Sequence, residues 1–211
     1  MASTAAIENM TSASCQQVFS EQADVFTTIY QPTVNMAVWQ RQLSESVTRA
    51  VKEGLTQNLQ LNVTQEVPVD GVLDNLNNNY ALSLWPTALR EDIAQIVEMF
   101  GCLFDIDMVG LRLRTLNAAM CPKFHYDRVP CRLVTTYSGT GTQWLPNDAI
   151  ELNESGRLQV IDDNDTHTLR AGDVALLKGS AWPGNESTPL VHRSPCLTEL
   201  QPRILLTLDA M

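Results

Sequence analysis

The sequence predicts an α+β fold, mainly β, with helices in the N-terminal part packed on a C-terminal β-sandwich or barrel. Three observations lead there. From about residue 105 onward, seven short strand-like runs ("VGLRLRTL", "RLVTTYSG", "QWL", "GRLQVI", "HTLRAGDVALLKG", "PLVHRS", "RILLTLDA") are separated by Gly, Pro, Asn and Asp, with no helical run among them. Before them lie two segments with apolar residues at helical spacing. The 211-residue chain is also 44% hydrophobic and 18% charged, ordinary globular material. A chain of this length buries roughly 70% of its unfolded surface, enough for a core without staples.

Taken in order, residues 1–20 are rich in Ser, Ala, Thr and Gln without a sustained period and read as a poorly ordered lead-in. Residues 21–104 read as a helical N-terminal part with one or two strands. Within it, "VNMAVW" alternates and suits an edge strand. Ser44 can cap a helix that presents Val47, Ala50 and Val51 on one face, with Gly54 just past its end. "LQLNVTQEV" places Leu59, Leu61 and Val63 on one side of a strand, and "DNLNNNYA" is turn material. A second helix follows Pro86 and Thr87, with Leu89, Ile93, Ile96, Val97 and Phe100 in phase, Glu91 and Asp92 favourable to its dipole, and Gly101 closing it. Residues 105–211 form the β domain, which is expected to make one compact unit with the helices.

The net charge of −10 argues against a nucleic-acid partner, because phosphate backbones are bound by clustered Lys and Arg and the fourteen here are scattered. An anionic membrane surface is disfavoured on the same ground. No run approaches the ~20 apolar residues of a membrane helix, and "MASTAAIENMTSASC" lacks the basic start and apolar run of a signal peptide, so a cytoplasmic location is expected. Five cysteines without a CxxC signal neither a disulfide framework nor a zinc ribbon. Cys121 and Cys131, which bracket the segment discussed next, are read as packing residues.

The chemistry concentrates in "CPKFHYDRVPCRLVTTYSG". His125 and Asp127 are two residues apart, so in extended backbone they aim at one point. Of the other two histidines, His167 follows the acidic turn "DDNDT" and reads as a solvated hairpin tip. His192 ends the short apolar strand in "TPLVHRSP" and is the better third ligand. Two imidazoles and one carboxylate occupy one face of an octahedral ion and leave positions open. A hydrogen-bonded His–Asp pair without metal is the plainer alternative. Arg203 opens an otherwise apolar strand, where a desolvated guanidinium must reach solvent or find an anion such as a dicarboxylic acid. Arg193 is a rival anion binder, turned away by strand alternation.

The succession His125-x-Asp127, then Arg132, Thr135 and Tyr137, a Gly-rich turn, "LRAGDVALLKG", His192 and Arg203 resembles the iron(II)/2-oxoglutarate-dependent oxygenases, the prolyl-hydroxylase branch in particular. That resemblance covers roughly residues 105–211. It implies a double-stranded β-helix of jelly-roll, cupin-like type, an iron held by His125, Asp127 and His192, and a 2-oxoglutarate whose far carboxylate pairs with Arg203. On this reading the hydroxyls of Thr135 and Tyr137, which share a face, would bind the cosubstrate; packing is their alternative. Leu205 stands where many of these enzymes carry a small hydroxylated residue.

The whole chain is also similar to a bacterial family, domain of unknown function 1826, over "VNMAVWQR", "AMCPKFHYDRVPCRLVTTYSGTGTQWL" and "GDVALLKGSAWPGNESTPLVHRSP". That similarity keeps open a second reading, a non-catalytic zinc-handling or zinc-sensing module with the same three ligands. "KGSAWPGNES" suits either a lid, with Trp182 stacking on a substrate, or a surface turn with one anchored aromatic. Neither the substrate, small molecule or protein, nor an oligomeric state is written in the sequence.

Overall fold

In a computed structural model, the described residues are 15–153, 155–196 and 202–210. Residues 1–14 of the expected lead-in, and residues 197–201 of the loop between His192 and Arg203, lie outside them. The strands are β1 Gln16–Ser20, β2 Val34–Trp39, β3 Asn62–Pro68, β4 Met108–Leu116, β5 Cys131–Ser138, β6 Gln143–Leu145, β7 Ile150–Leu152, β8 Leu158–Val160, β9 His167–Thr168, β10 Val174–Lys178, β11 Val191–Arg193 and β12 Arg203–Ala210. The helices are α1 Glu45–Thr56, α2 Val72–Asn78, α3 Tyr80–Ser83 and α4 Thr87–Phe104, with a 3-10 helix at Ala23–Tyr30.

Seven strands form one sheet in the order β1-β2-β10-β5-β12-β4-β3, three form β11-β6-β9, and β7 and β8 pair as a hairpin. The fold is mixed and mostly β, but among the described residues no sheet closes on itself, which corrects the expected barrel. Both edges of the large sheet, β1 and β3, come from the first 68 residues, so the N-terminal third of the chain contributes strands to the same sheet as β4, β5, β10 and β12. Residues 16–20, assigned to the lead-in, form β1, which pairs in parallel with β2. β2 is therefore interior rather than an edge strand, and Val34 through Val38 are all buried.

Alternation along the central strands gives the large sheet two different faces. Leu133 and Tyr137 of β5, Ile204, Leu206 and Leu208 of β12, and Val174 and Leu176 of β10 join the main core with α1 and α4. Val134 of β5 and Ala175 and Leu177 of β10 instead pack with Trp144, Leu169 and Leu190 from the smaller sheet side. The candidate site lies on this second face.

The helices follow their apolar phases, but four sequence signals meant something other than expected. Ser44 does cap α1, accepting from the Val47 amide at 3.3 Å. Gly54, however, lies inside that helix, where a Cβ would stand 2.2 Å from the ring of the buried Trp85. Gly101 likewise lies inside α4, with Val69 packed against it, and the helix ends at Asp105 in the left-handed conformation (φ 52°). Both glycines are close-approach residues, not stops. The asparagine-rich "turn" is mostly α2 and α3: buried Val72, Leu76 and Leu82 outweigh the weak helix propensity of Asn, and the Asn79 side chain caps α3. Asp92, expected to serve the helix dipole, makes a two-pronged ion pair with Arg41 at 2.7 and 2.8 Å. No helix among the described residues is long and apolar enough to cross a membrane.

Gly54→Val should lower stability by about 1–3 kcal/mol, because Trp85 has no room to yield. The urea midpoint checks this, and an unchanged midpoint would remove Trp85 from that contact.

Candidate metal centre

The segment 117–130, between β4 and β5, is irregular, so His125 and Asp127 are not held by a strand as expected. One isolated antiparallel bridge does that work: the His125 amide donates to the His192 carbonyl at 3.0 Å, and the His192 amide donates back at 2.8 Å. Two ligand segments far apart in sequence are thereby joined at their own backbones. Alternation persists locally, since Phe124 and Tyr126 turn to the other side and pack on a cluster of Leu145, Ala149, Ile150 and Val191. The Tyr126 hydroxyl also donates to the Gly156 carbonyl at 2.7 Å, tying the segment to the β7–β8 hairpin. On the far flank, the Ser180 amide donates to the Asp127 carbonyl at 2.9 Å. A Cβ at Gly179 would lie 2.6 Å from that carbonyl oxygen and 2.1 Å from the Val129 carbonyl oxygen, so this close approach needs glycine.

One ligand atom from each of His125, Asp127 and His192 lies within 4.8 Å of the others. Hydrogen bonding decides what these atoms offer. His125 Nδ1 faces the Lys123 carbonyl at 3.0 Å and His192 Nδ1 faces the Leu190 carbonyl at 3.4 Å. A carbonyl only accepts, so each Nδ1 carries a proton there, and a neutral imidazole in that tautomer turns its Nε2 lone pair outward. Burial pushes the His192 imidazole down to about 4, against the pull of Asp127, so it is neutral near pH 7. Its Nε2 then lies 3.5 Å from Asp127 Oδ2, a buried oxygen with no hydrogen bond among the described residues. Two imidazoles and a carboxylate with a buried, unbonded oxygen make a donor set that fits a divalent cation.

Arg203 is 1% exposed and lines the same pocket as His125 and His192. Its Nη2 donates to the Thr142 hydroxyl at 2.8 Å and the Thr136 hydroxyl at 3.2 Å, while its Nε finds no partner. Among the described residues it has no carboxylate, and burial lowers its pKa to about 10. A buried guanidinium with a vacant donor fits an incoming carboxylate. Val134 and Leu205 give this pocket apolar lining.

Thr135 and Tyr137 are not part of it, a correction to the expected cosubstrate contacts. They lie on the helix-facing side of β5, where Tyr137 donates to Asp92 at 2.7 Å. Thr136 is on the pocket side instead. The strand is buried on both faces, so its sequence does not reveal which set of alternate residues looks inward.

The remaining candidates sort as follows. His167 is exposed, but it sits in β9, paired with Trp144 of β6, rather than at a hairpin tip, and its ring stacks on Trp144 with centroids 4.6 Å apart. Arg193 reaches the pocket rim but is engaged by Gln143 at 2.8 Å and lies over the Phe124 ring. Trp182 packs on Tyr30 and Phe104, so it is the anchored aromatic and not a stacking lid. Cys131 is buried, and burial pushes its thiol well up. Cys121 is exposed at the pocket rim rather than packed. The sequence reading missed the role of Arg132, which pairs with Asp127 at 2.9 Å and with Asp209 at 2.7 Å. Only the register between β5 and β12, which sets Arg132 opposite Asp209, could have indicated it.

The chain is similar in structure to several solved proteins. A dioxygenase for auxin oxidation from Arabidopsis thaliana, in complex with 2-oxoglutarate, is similar with a TM-score of 0.51 and 9% identity, over 93% of this chain and 92% of that one. A prolyl-4-hydroxylase from Pseudomonas putida aligns with a TM-score of 0.49 and 10% identity, over 91% of this chain and 100% of that one. A non-heme α-ketoglutarate-dependent carbocyclase from nogalamycin biosynthesis aligns with a TM-score of 0.45 and 12% identity, over 90% and 84%. At such identities the likeness speaks to the fold alone, and not to an activity or a substrate. No curated protein sequence matches the chain significantly. The model of one family matches residues 20–209, nearly the whole chain, and the protein therefore belongs to the family described as Protein of unknown function (DUF1826).

Proposed function

We propose that this protein is an iron(II)/2-oxoglutarate-dependent oxygenase. The observation that carries the reading is one pocket lined by His125 and His192, whose ligand atoms meet that of Asp127 within 4.8 Å, and by a buried arginine with no carboxylate partner among the described residues. His125, Asp127 and His192 would hold the iron. Arg203, oriented by the hydroxyls of Thr136 and Thr142, would pair with the cosubstrate carboxylate remote from the metal. When bound, iron(II) and 2-oxoglutarate supply oxygen activation coupled to decarboxylation of the oxo acid to succinate and carbon dioxide. The chain's own contribution is to orient both imidazoles through their Nδ1 contacts, to anchor one dicarboxylate, and to line the space between with Val134 and Leu205 so that water is kept out. A zinc-handling module with the same ligands gives Arg203 no reason to be buried beside them.

The direct test is turnover without added substrate. The anaerobically iron-loaded protein should convert 2-oxoglutarate to succinate when air is admitted, and metal-bound protein that forms none would contradict the assignment. His192→Ala should lose stoichiometric iron retention, measured by metal analysis after gel filtration; full retention would exclude that ligand.

Arg203→Met should weaken 2-oxoglutarate binding by about 30-fold or more, the cost of removing one partner of a buried charge pair, while leaving metal content intact. Tyr137→Phe should cost about 1 kcal/mol of stability through the lost bond to Asp92 and leave 2-oxoglutarate affinity unchanged. Calorimetric titration of the metal-loaded variants separates the two. Equal loss in both would return Tyr137 to the pocket.

A further inference from the structure

The pocket face of the large sheet carries an ion network that neither the triad nor the cosubstrate anchor requires. Arg132 of β5 sits directly opposite Asp209 of β12 in the antiparallel register. Its Nε and Nη2 fork onto the two oxygens of Asp209 at 2.7 and 3.0 Å, and its Nη1 meets Asp127 Oδ1 at 2.9 Å. Arg112 of β4 pairs with the same Asp209 carboxylate from the other side. Asp127 Oδ2, the oxygen nearest His192, is left without a hydrogen bond among the described residues.

A network of this kind is a poor device for stability alone. The Arg132, Asp127 and Asp209 side chains are only 21%, 13% and 9% exposed, and ions withdrawn from water regain little more than their desolvation cost. What it does provide is direction. A guanidinium is planar, so once its Nε–Nη2 edge is locked on Asp209, the remaining Nη1 points one way. That way is Asp127 Oδ1, which fixes the carboxylate with its other oxygen turned to the imidazoles. The second task is electrostatic. An unpaired arginine one carboxylate away from a divalent ion would repel it and would compete for Asp127, and Asp209 occupies the fork that would otherwise do so.

We propose that Arg132 is a positioning residue for the metal ligand Asp127, holding Oδ1 so that Oδ2 alone faces the metal, and that Asp209 acts through Arg132 to keep that arginine from capturing both oxygens. This rests on the reading of His125, Asp127 and His192 as a metal site, and deepens it.

Cobalt(II) alone, titrated into the full-length protein and followed by its visible d–d bands, tests the proposal, with circular dichroism confirming that each variant is folded. Asp209→Asn should weaken cobalt(II) binding by about 10- to 100-fold, the range seen when partners behind a metal ligand are removed, although Asp209 does not touch the ligand set. In an Arg132→Met background the same Asp209→Asn change should have no further effect on affinity. Should Asp209→Asn fail to fold, Arg132→Lys takes its place. It keeps the charge but cannot grip Asp209 with a fork while reaching Asp127, and it should weaken binding and alter the d–d spectrum. Parent-like affinity in the folded single variants, or an undiminished Asp209→Asn effect without Arg132, would overturn the proposal. A parent protein that binds no cobalt(II) would overturn it together with the metal reading beneath it, and is told apart by the parent titration.

Discussion

The site depends on one constraint: one ligand atom from each of His125, Asp127 and His192 converges within 4.8 Å, and the buried Asp127 Oδ2 among them has no hydrogen bond among the described residues. Each histidine turns its Nδ1 to a backbone carbonyl two residues earlier, which directs its Nε2 to the other side of the ring. The fold maintains that arrangement by direct means. The reciprocal amide bonds between His125 and His192 set the two histidines side by side, and the Ser180 amide holds the Asp127 carbonyl from the opposite flank.

Everything else in the fold serves to separate two environments on either side of one sheet. The helix-facing side is a conventional apolar core fastened by the Arg41–Asp92–Tyr137 contacts. The pocket-facing side carries Arg132, Thr136, Arg203 and Asp209, polar groups that a core would not tolerate and that are organised around one opening. Because side chains alternate, a single residue step along β5 moves a hydroxyl from one environment to the other. Thr136 bonds Arg203, while the hydroxyl of the adjacent Thr135 has no partner among the described residues.

This alternation also explains what could be read from the sequence. With three histidines in the chain and an HxD motif, the triad was legible because the chemistry leaves few choices, and Arg203 was legible because a charged residue opening "RILLTL" needs a reason. The choice between Thr135 and Thr136 was not legible: a strand buried on both faces has no polar–apolar period to read. Gly54 and Gly101 resembled helix stops because sequence records the absence of a side chain but not the Trp85 ring or the Val69 side chain that fills the space. The asparagine-rich stretch hid α2 and α3 because weak propensity was overridden by three buried apolar anchors. The Arg132–Asp209 pair is separated by 77 positions in the chain, and only the pairing of β5 with β12 brings it together.

The central claim is that one pocket accepts a metal and a 2-oxo acid at the same time. Anaerobic addition of 2-oxoglutarate to the iron(II)-loaded protein measures this directly through the visible charge-transfer absorption that arises when the oxo acid chelates the iron. The account predicts a saturable band with one equivalent of cosubstrate per iron. Protein that holds iron yet shows no band with 2-oxoglutarate in excess would contradict it.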